Sequence, residues 1–222
     1  MQVNIILLGA GKGQRFQSSS PNKIGHAAIK QLAQINGRPL ISHCIDKLHQ
    51  LLEQPQVKTL YVALGANKNT IQACLPQNVS VIASQHWPDG MGHTLAESVQ
   101  CIKAQSSHVL IALADHALIT TEHYQNLLDA SKKQPNKIIA TLCENKLMAP
   151  AIFPEKYFPQ LAKIQGDTGA GKLLNQYASP IDAIACIDAK FDIDTWSDLE
   201  QVRLHLTNLQ QNSLHNCVQE NN

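Results

Sequence analysis

Val3-Asn4-Ile5-Ile6-Leu7-Leu8-Gly9-Ala10-Gly11-Lys12-Gly13-Gln14-Arg15 is a mainly apolar run that stops at three alternating glycines flanked by two cations. Such a compact run predicts a strand buried on both faces. The glycines that follow predict a turn whose backbone N–H groups lie open to an anion. A second run, His108 to Ala114, also reads as a buried strand, and Asp115 sits at its carboxyl end. Between and beyond these two, helical and extended patterns alternate. Pro39 opens a helix carrying Leu40, Ile41, Cys44, Ile45, Leu48, Leu51 and Leu52 at helical spacing. Further helices are predicted over 69–75, 92–104 and 121–133, with another following the Gly166 loop and a last one over 198–209. Further strands are predicted over 58–64, 79–83, 137–143, 149–153 and 181–187. Alternation of this kind implies a mainly parallel sheet covered on both faces. In such sheets ligands lie at the carboxyl ends of the strands, so the Gly9 turn and Asp115 are the places where chemistry is expected.

The chain has 222 residues, 18 Lys and Arg against 17 Asp and Glu, and a formal net charge of +1. That balance excludes a generally basic nucleic-acid binder and a polybasic membrane clamp. With 44% hydrophobic and 16% charged residues, the composition fits one globular domain over 1–209, and the polar segment 210–222 is expected to fray. The longest wholly apolar run, Val109 to Ala114, falls far short of the roughly 18 to 20 residues that cross a bilayer. No cation precedes Ile5 to Leu8, and no cleavage pattern follows, so a cytoplasmic protein is expected. Six cysteines lie without close pairs and read as small core hydrophobes.

Two nucleotide motifs compete for the glycines. A dinucleotide fingerprint needs Gly or Ala three residues beyond Gly11, where Gln14 stands, and an acid near residue 30, where Lys30 stands. Gly166 to Lys172 satisfies most of a P-loop, yet Leu173 replaces the hydroxyl that binds magnesium, and a helix rather than a strand is predicted before it. Asp115 is then either a metal ligand or a helix cap. Asp192 and Asp194 end a second extended segment, and one of them is a candidate cap for the helix that follows. Carboxylates from separate strand ends facing a basic glycine loop suit magnesium and a polyphosphate. The ten histidines match no metal triad and read as surface or loop residues, with His93 in its glycine-rich turn the best exception.

Leu8-Gly9-Ala10-Gly11-Lys12-Gly13-Gln14-Arg15-Phe16, followed by Lys30 and Gly37-Arg38-Pro39-Leu40, resembles the opening signature of the MobA-like nucleotidyltransferases. These include the enzymes that attach CMP or GMP to molybdopterin. Gly90-Met91-Gly92-His93-Thr94-Leu95, Ala114-Asp115, Pro150-Ala151-Ile152-Phe153-Pro154, Gly166-Asp167-Thr168-Gly169-Ala170 and Asp192-Ile193-Asp194-Thr195 keep the family's order. The resemblance implies a single-domain GT-A-like (Rossmann-like) α/β three-layer sandwich with a mixed, mainly parallel sheet. It implies an NTP attacked at its α-phosphorus by a small phosphorylated acceptor, with release of pyrophosphate. Leu8, Gly9, Ala10, Gly11, Lys12, Gly13 and Gly90 would then bind nucleotide, and Arg15 and Lys30 would neutralise the triphosphate. Asp115, with Asp192 or Asp194, would hold Mg2+. Gly92, His93, Thr94, Pro150, Asp167 and Gly169 would face the acceptor. Transient contact with a molybdoenzyme or its chaperone is implied as well.

The departures from the family pattern matter too. A Ser- and Asn-rich insertion between Arg15 and Lys30 leaves Lys23 a rival for the lysine role. His116-Ala117 stands where relatives have Met-Pro, and Gly171 stands where they have Arg, which bears on the molybdopterin acceptor. Ala10 resembles the cytidylyl branch, so CTP is favoured. Two alternatives are a catalytically silent nucleotide-binding module of the same fold and a P-loop phosphotransferase.

Overall fold

In the computed structural model, which describes residues 1–21, 28–176 and 181–219 (side chains excepting 172, 175, 176 and 209–219), the opening run forms β1 (Val3–Leu8), buried along its whole length. The remaining strands are β2 (Gln34–Ile35), β3 (Arg38–Pro39), β4 (Val57–Leu64), β5 (Ser80–Ala83), β6 (His108–Leu113), β7 (Ile138–Cys143), β8 (Lys146–Pro154) and β9 (Ile181–Ala185). Seven of them form one sheet in the order β5-β4-β1-β6-β8-β7-β9, and β2 and β3 pair as a small separate hairpin. β8 alone runs against the others, because it is antiparallel to both β6 and β7 while the remaining pairings are parallel. The sheet is therefore mixed and mainly parallel, as expected.

The helices are α1 (Gln14–Ser19), α2 (Leu40–His49), α3 (Lys68–Gln72), α4 (Met91–Ile102), α5 (Thr121–Lys133), α6 (Phe158–Leu161), α7 (Ala170–Gln176) and α8 (Trp196–Gln219). Side chains alternate across the sheet, as the two-residue period of a strand dictates. Ile5 and Leu7 pack with Ile41 and Ile45 of α2 and Tyr124 and Leu127 of α5. Ile6 and Leu8 face the other way, onto Leu95 and Val99 of α4 and Leu161 and Leu174 of α6 and α7. This double burial produces the three layers and explains why β1 shows no polar–apolar alternation.

A third, smaller cluster joins Phe16, Ile35, Leu40, Ile193, Leu199 and Val202. It fastens α1, the β2–β3 hairpin and the start of α8 to one another. A six-residue helix such as α1 does not persist alone in water. Its anchor is Phe16, fully buried with its ring centroid 5.7 Å from that of Trp196.

Some expectations are corrected here. The polar segment expected to fray from residue 210 is helical through Gln219, continuing a helix of 24 residues. Cys74 and Cys101 are exposed rather than core, whereas Cys44 and Cys143 are buried. Burial pushes the Cys44 thiol up to about 12, so it behaves as an inert core group. His108, His116 and His123 are buried, not surface, because each lies in or beside a core element and their rings are drawn in with it. Among the described residues, no helix is long and apolar enough to cross a membrane.

Candidate active site

The chain runs outward from β1 to β4 and β5, then returns to the other side of β1 as β6, so the order reverses between β1 and β6. The crevice at such a reversal is where open α/β sheets bind ligands. Both chemically loaded strand ends open there. Gly9 follows β1, Asp115 follows β6, and a Cβ on Gly9 would lie 3.3 Å from that of Ala114.

The glycine loop is held by its carbonyls. The carbonyl of Ala10 accepts from Ala66 N–H at 2.9 Å. The carbonyls of Gly9 and Gly11 both accept from the Gln31 side-chain amide, each at 2.9 Å. In a trans peptide the C=O and the following N–H point oppositely. The N–H groups of Ala10, Gly11 and Lys12 therefore face away from these anchors, and among the described residues none of them has a protein acceptor. Gly13 closes the loop at φ +67° and would place a Cβ 3.0 Å from that of Lys30, which explains glycine there. Gly11 is different. It lacks a positive φ, and a Cβ there would meet nothing within 4 Å, so among the described residues no neighbour requires glycine at that point.

Four charged side chains meet beside this loop. Lys30 Nζ lies 2.7 Å from Asp115 Oδ2 and 3.1 Å from Asp194 Oδ1, and Arg15 Nη2 lies 2.9 Å from Asp194 Oδ2. Two cations and two carboxylates make the cluster neutral. Burial alone would raise the Asp115 carboxyl, but the Lys30 ammonium and its hydrogen bond, helped by nearby His116, hold it below the usual carboxylate range. Burial alone would lower Lys30, but Asp115 and Asp194 together raise it. Both groups are thus charged at neutral pH. Asp115 Oδ1, the carboxylate oxygen not taken by Lys30, is buried without a hydrogen-bond partner among the described residues, and His116 Nε2 lies 3.9 Å from it.

Asp194 is aimed by its neighbours. Asp198 Oδ2 accepts from the N–H groups of Asp194 at 3.1 Å and Thr195 at 2.6 Å, while Thr195 Oγ1 accepts from Asp198 N–H at 3.2 Å. This reciprocal cap starts α8. Neither Asp192 nor Asp194 is the cap, and Asp192 is exposed and joins no ion pair among the described residues.

The remaining expected residues form a second group. Gly92 N–H donates to the Gly166 carbonyl at 2.8 Å. A Cβ on Gly90, at φ +111°, would fall 2.3 Å from Gly166 C. His93 Nδ1 lies 2.9 Å from the Asp89 carbonyl and 3.2 Å from Gly166 N–H, and it can serve one of them at a time. Thr94 is buried at the start of α4, Asp167 is exposed, and Gly169 lies under Met91. Pro150 is buried within β8, its carbonyl accepting from Thr141 Oγ1, and Leu8 is buried at the end of β1. Neither presents a side chain to solvent. The P-loop look-alike follows α6 and a turn, so the strand that a P-loop requires is absent there. Lys23 lies outside the described residues, as does the side chain of Lys172.

Two residues that support this region, Gln31 and Glu97, were not singled out from the sequence, and Asp198 stood there only within the Asp198-Leu199-Glu200 match to the family. Gln31 carries no readable signal. Asp198 does, since Thr195-x-x-Asp198 fits the capping pattern before an apolar periodicity. Glu97 lies one turn along α4, and its carboxylate accepts from Gln85 N–H at 3.1 Å, His86 N–H at 3.3 Å and the Ser84 hydroxyl, holding the loop after β5. That loop, with Gly65, Asn67, Lys68 and Thr70, lines a largely polar cavity of about 530 Å³. Ala66 connects the cavity wall to the glycine loop through its bond to Ala10.

The family model for the MobA-like NTP transferase domain matches residues 5–181. The bifunctional protein GlmU of Legionella pneumophila (strain Philadelphia 1) is 29% identical over 157 residues, covering 68% of this chain and 30% of that protein. The chain thus spans about a third of the length of the curated relative it matches. Among solved structures, a nucleotidyl transferase from Methanothermobacter superposes with a TM-score of 0.76 at 14% identity, covering 94% of this chain and 99% of that one. The manganese complex of Rv0371c from Mycobacterium tuberculosis H37Rv gives 0.71 at 18% identity, covering 90% and 97%. At these identities the likeness speaks to the fold, which is that of nucleotidyltransferases.

Proposed function

Because the chain belongs to the MobA-like NTP transferase domain family, we propose that it is a divalent-metal-dependent nucleotidyltransferase that moves NMP, with CMP favoured, from an NTP to a small phosphorylated acceptor such as molybdopterin. The observation that carries this reading is the convergence of Asp115, Asp194, Lys30 and Arg15 beside a loop with three N–H groups that meet no acceptor among the described residues.

The donor set fits a hard divalent ion. Asp115 Oδ1 is a buried oxygen with no hydrogen-bond donor among the described residues, His116 Nε2 lying 3.9 Å from it, and Lys30 Nζ already occupies a cationic position between two carboxylates. Among the described residues no three His, Cys, Asp or Glu side chains gather into a complete metal cage. Two carboxylates with substrate phosphates completing the shell is the arrangement magnesium prefers, and Asp115 and Asp194 are the residues that would hold it. A bound ion of this kind neutralises charge on the triphosphate.

The protein's own groups would divide the rest of the work. The N–H groups of Ala10, Gly11 and Lys12 would bind phosphate oxygens, with the unobstructed face of Gly11 letting them approach. Lys30 and Arg15 would exchange their carboxylate partners for the triphosphate. The nucleoside would extend into the cavity lined by Gly65, Asn67 and Gln85. An acceptor phosphate oxygen would form a bond to the α-phosphorus while the bond to the bridging oxygen breaks, pyrophosphate leaving with the electron pair. No side-chain nucleophile is required, and alignment with charge stabilisation supplies the rate. Ala10 supports CTP over GTP, and the paired loops at Gly90–Thr94 and Gly166–Gly169 are the proposed acceptor side.

The test is a thermal-shift screen of the four NTPs with Mg2+ and with Mn2+, followed by pyrophosphate-release assays over phosphorylated acceptors. A native-state ligand raises the melting temperature. Stabilisation by CTP above the others, with acceptor-dependent pyrophosphate, is expected. Binding without turnover on any acceptor would instead mark a silent nucleotide-binding module.

A further inference from the structure

We propose that Gln31 is a positioning residue that sets the glycine loop in its phosphate-receiving orientation, an inference that rests on the nucleotidyltransferase reading of that loop. Gln31 is 2% exposed and sits next to Lys30 in the chain, under the loop rather than beside the ligand face. Its amide nitrogen has two protons, and the two carbonyls it meets, Gly9 and Gly11, use both.

The consequence follows from peptide geometry. Holding the Gly9 carbonyl fixes the direction of Ala10 N–H, and holding the Gly11 carbonyl fixes that of Lys12 N–H. Ala66 fixes the intervening peptide through the Ala10 carbonyl. Glycine at positions 9, 11 and 13 removes the Cβ barriers that would otherwise restrain these planes. Without Gln31, two of the three peptides lose their anchor, and a turned peptide presents a carbonyl oxygen to the phosphates instead of an N–H.

A second observation points the same way. The other end of the amide, Oε1, is buried with no hydrogen-bond partner among the described residues. Leaving a buried acceptor unsatisfied is unfavourable, and the amide is kept in place with one such oxygen because its nitrogen satisfies two loop carbonyls. Donors fixed before the ligand arrives lose no free energy to reorganisation on binding, which is the advantage of preorganised charge stabilisation.

The experiment compares the full-length wild-type chain with Gln31→Met, which keeps the length and removes both donors and the orphan oxygen. Titration calorimetry with Mg2+ is run for CTP and CMP, or for the NTP that stabilises wild type most and its monophosphate, alongside thermal melts. The expected result is a melting temperature lowered by no more than a few degrees, because the carbonyls of Gly9 and Gly11 lose their donor while the orphan oxygen is removed. Triphosphate affinity should fall about tenfold or more, and the monophosphate should be affected much less. In turnover assays kcat should drop as well. Equal affinities in both proteins overturn the proposal. So does an equal loss for both nucleotides with a melting temperature lowered further than that, since this marks a merely structural role. If wild type itself binds no NTP, the nucleotidyltransferase reading falls, and this inference falls with it.

Discussion

The two groups of candidate residues are held together by different physics. In the charged half, at the β1–β6 strand ends, Arg15, Lys30, Asp115 and Asp194 are joined across three ion pairs of 2.7 to 3.1 Å. In the glycine half, the Gly90–Thr94 and Gly166–Gly169 segments meet backbone to backbone, with glycines allowing the approach and His93 as a side-chain bridge. On the proposed function the charged half would specify a class of ligand by its chemistry, because cations and carboxylates in this arrangement suit a metal and a polyphosphate. The glycine half specifies a shape. A reaction type can therefore be read from the first half more readily than an acceptor can be read from the second.

Substitutions that break this contrast should rank accordingly. Asp115→Ala is expected to have the largest effect, lowering pyrophosphate release by at least about 10³-fold while the melting curve stays cooperative. A variant that retained turnover would remove Asp115 from the centre. Lys30→Met should come next, with a loss of about 10²-fold or more in turnover, whereas Lys23→Ala should change little. The same variant offers a readout without turnover. With the ammonium gone from between the two carboxylates, Mn2+ followed by EPR in the absence of nucleotide should bind more tightly than in wild type. Asp194→Asn should cost about tenfold or more, and Asp192→Asn less than about twofold, because only the former meets Lys30 and Arg15.

Stability against pH sharpens the comparison further. Asp115 is depressed below its ordinary 3.8, so its contribution is present above that value and is lost as pH falls through the lower folded value. Lys30 is raised above its ordinary 10.5, so its contribution is present below that value and is lost as pH rises through the higher folded one. The charged half should therefore keep its stabilisation throughout the neutral range. Urea midpoints of wild type and Lys30→Met compared from about pH 3 to about pH 11 should differ in shape only at the two extremes, the variant lacking the alkaline loss attributable to this pair. The buried rings of His108 and His123, lowered by burial from 6.5, add a loss below that value in both proteins. The glycine half should respond least to charge and most to bulk. Gly90→Ala, which adds a methyl 2.3 Å from Gly166 C at φ +111°, should destabilise by about 1–3 kcal/mol in chemical denaturation, with nucleotide affinity changed less than acceptor use.

What was legible in the sequence follows from the same physics. β1 and β6 are buried on both faces and announce themselves as apolar runs, so the Gly9 turn and Asp115 could be placed at strand ends from the residues alone. α1 could not. Gln14–Ser19 has little helical pattern and owes its form to Gly13 and to Phe16 under Trp196, contacts about 180 residues apart in the chain. The β2–β3 hairpin has two residues per strand, too few for any period to show. Asp192 and Asp194 look alike in sequence, and the reciprocal Thr195–Asp198 cap is what aims one of them inward. Gln31 was illegible because its role lies in an amide reaching back about twenty residues to two carbonyls, which no local pattern records.

The position of Asp194 has one further consequence for how the molecule comes into being. As the chain is synthesised, Arg15, Lys30 and Asp115 emerge before the fourth charged group, Asp194, which follows β9 and lies just ahead of α8. A nascent chain that has already folded its sheet still lacks the carboxylate shared by both cations, and the capping residues that orient it come later still. Termination between β9 and Asp194 would leave every strand of the sheet present and the centre without its fourth charge. Translation itself thus makes chemical competence arrive after architecture.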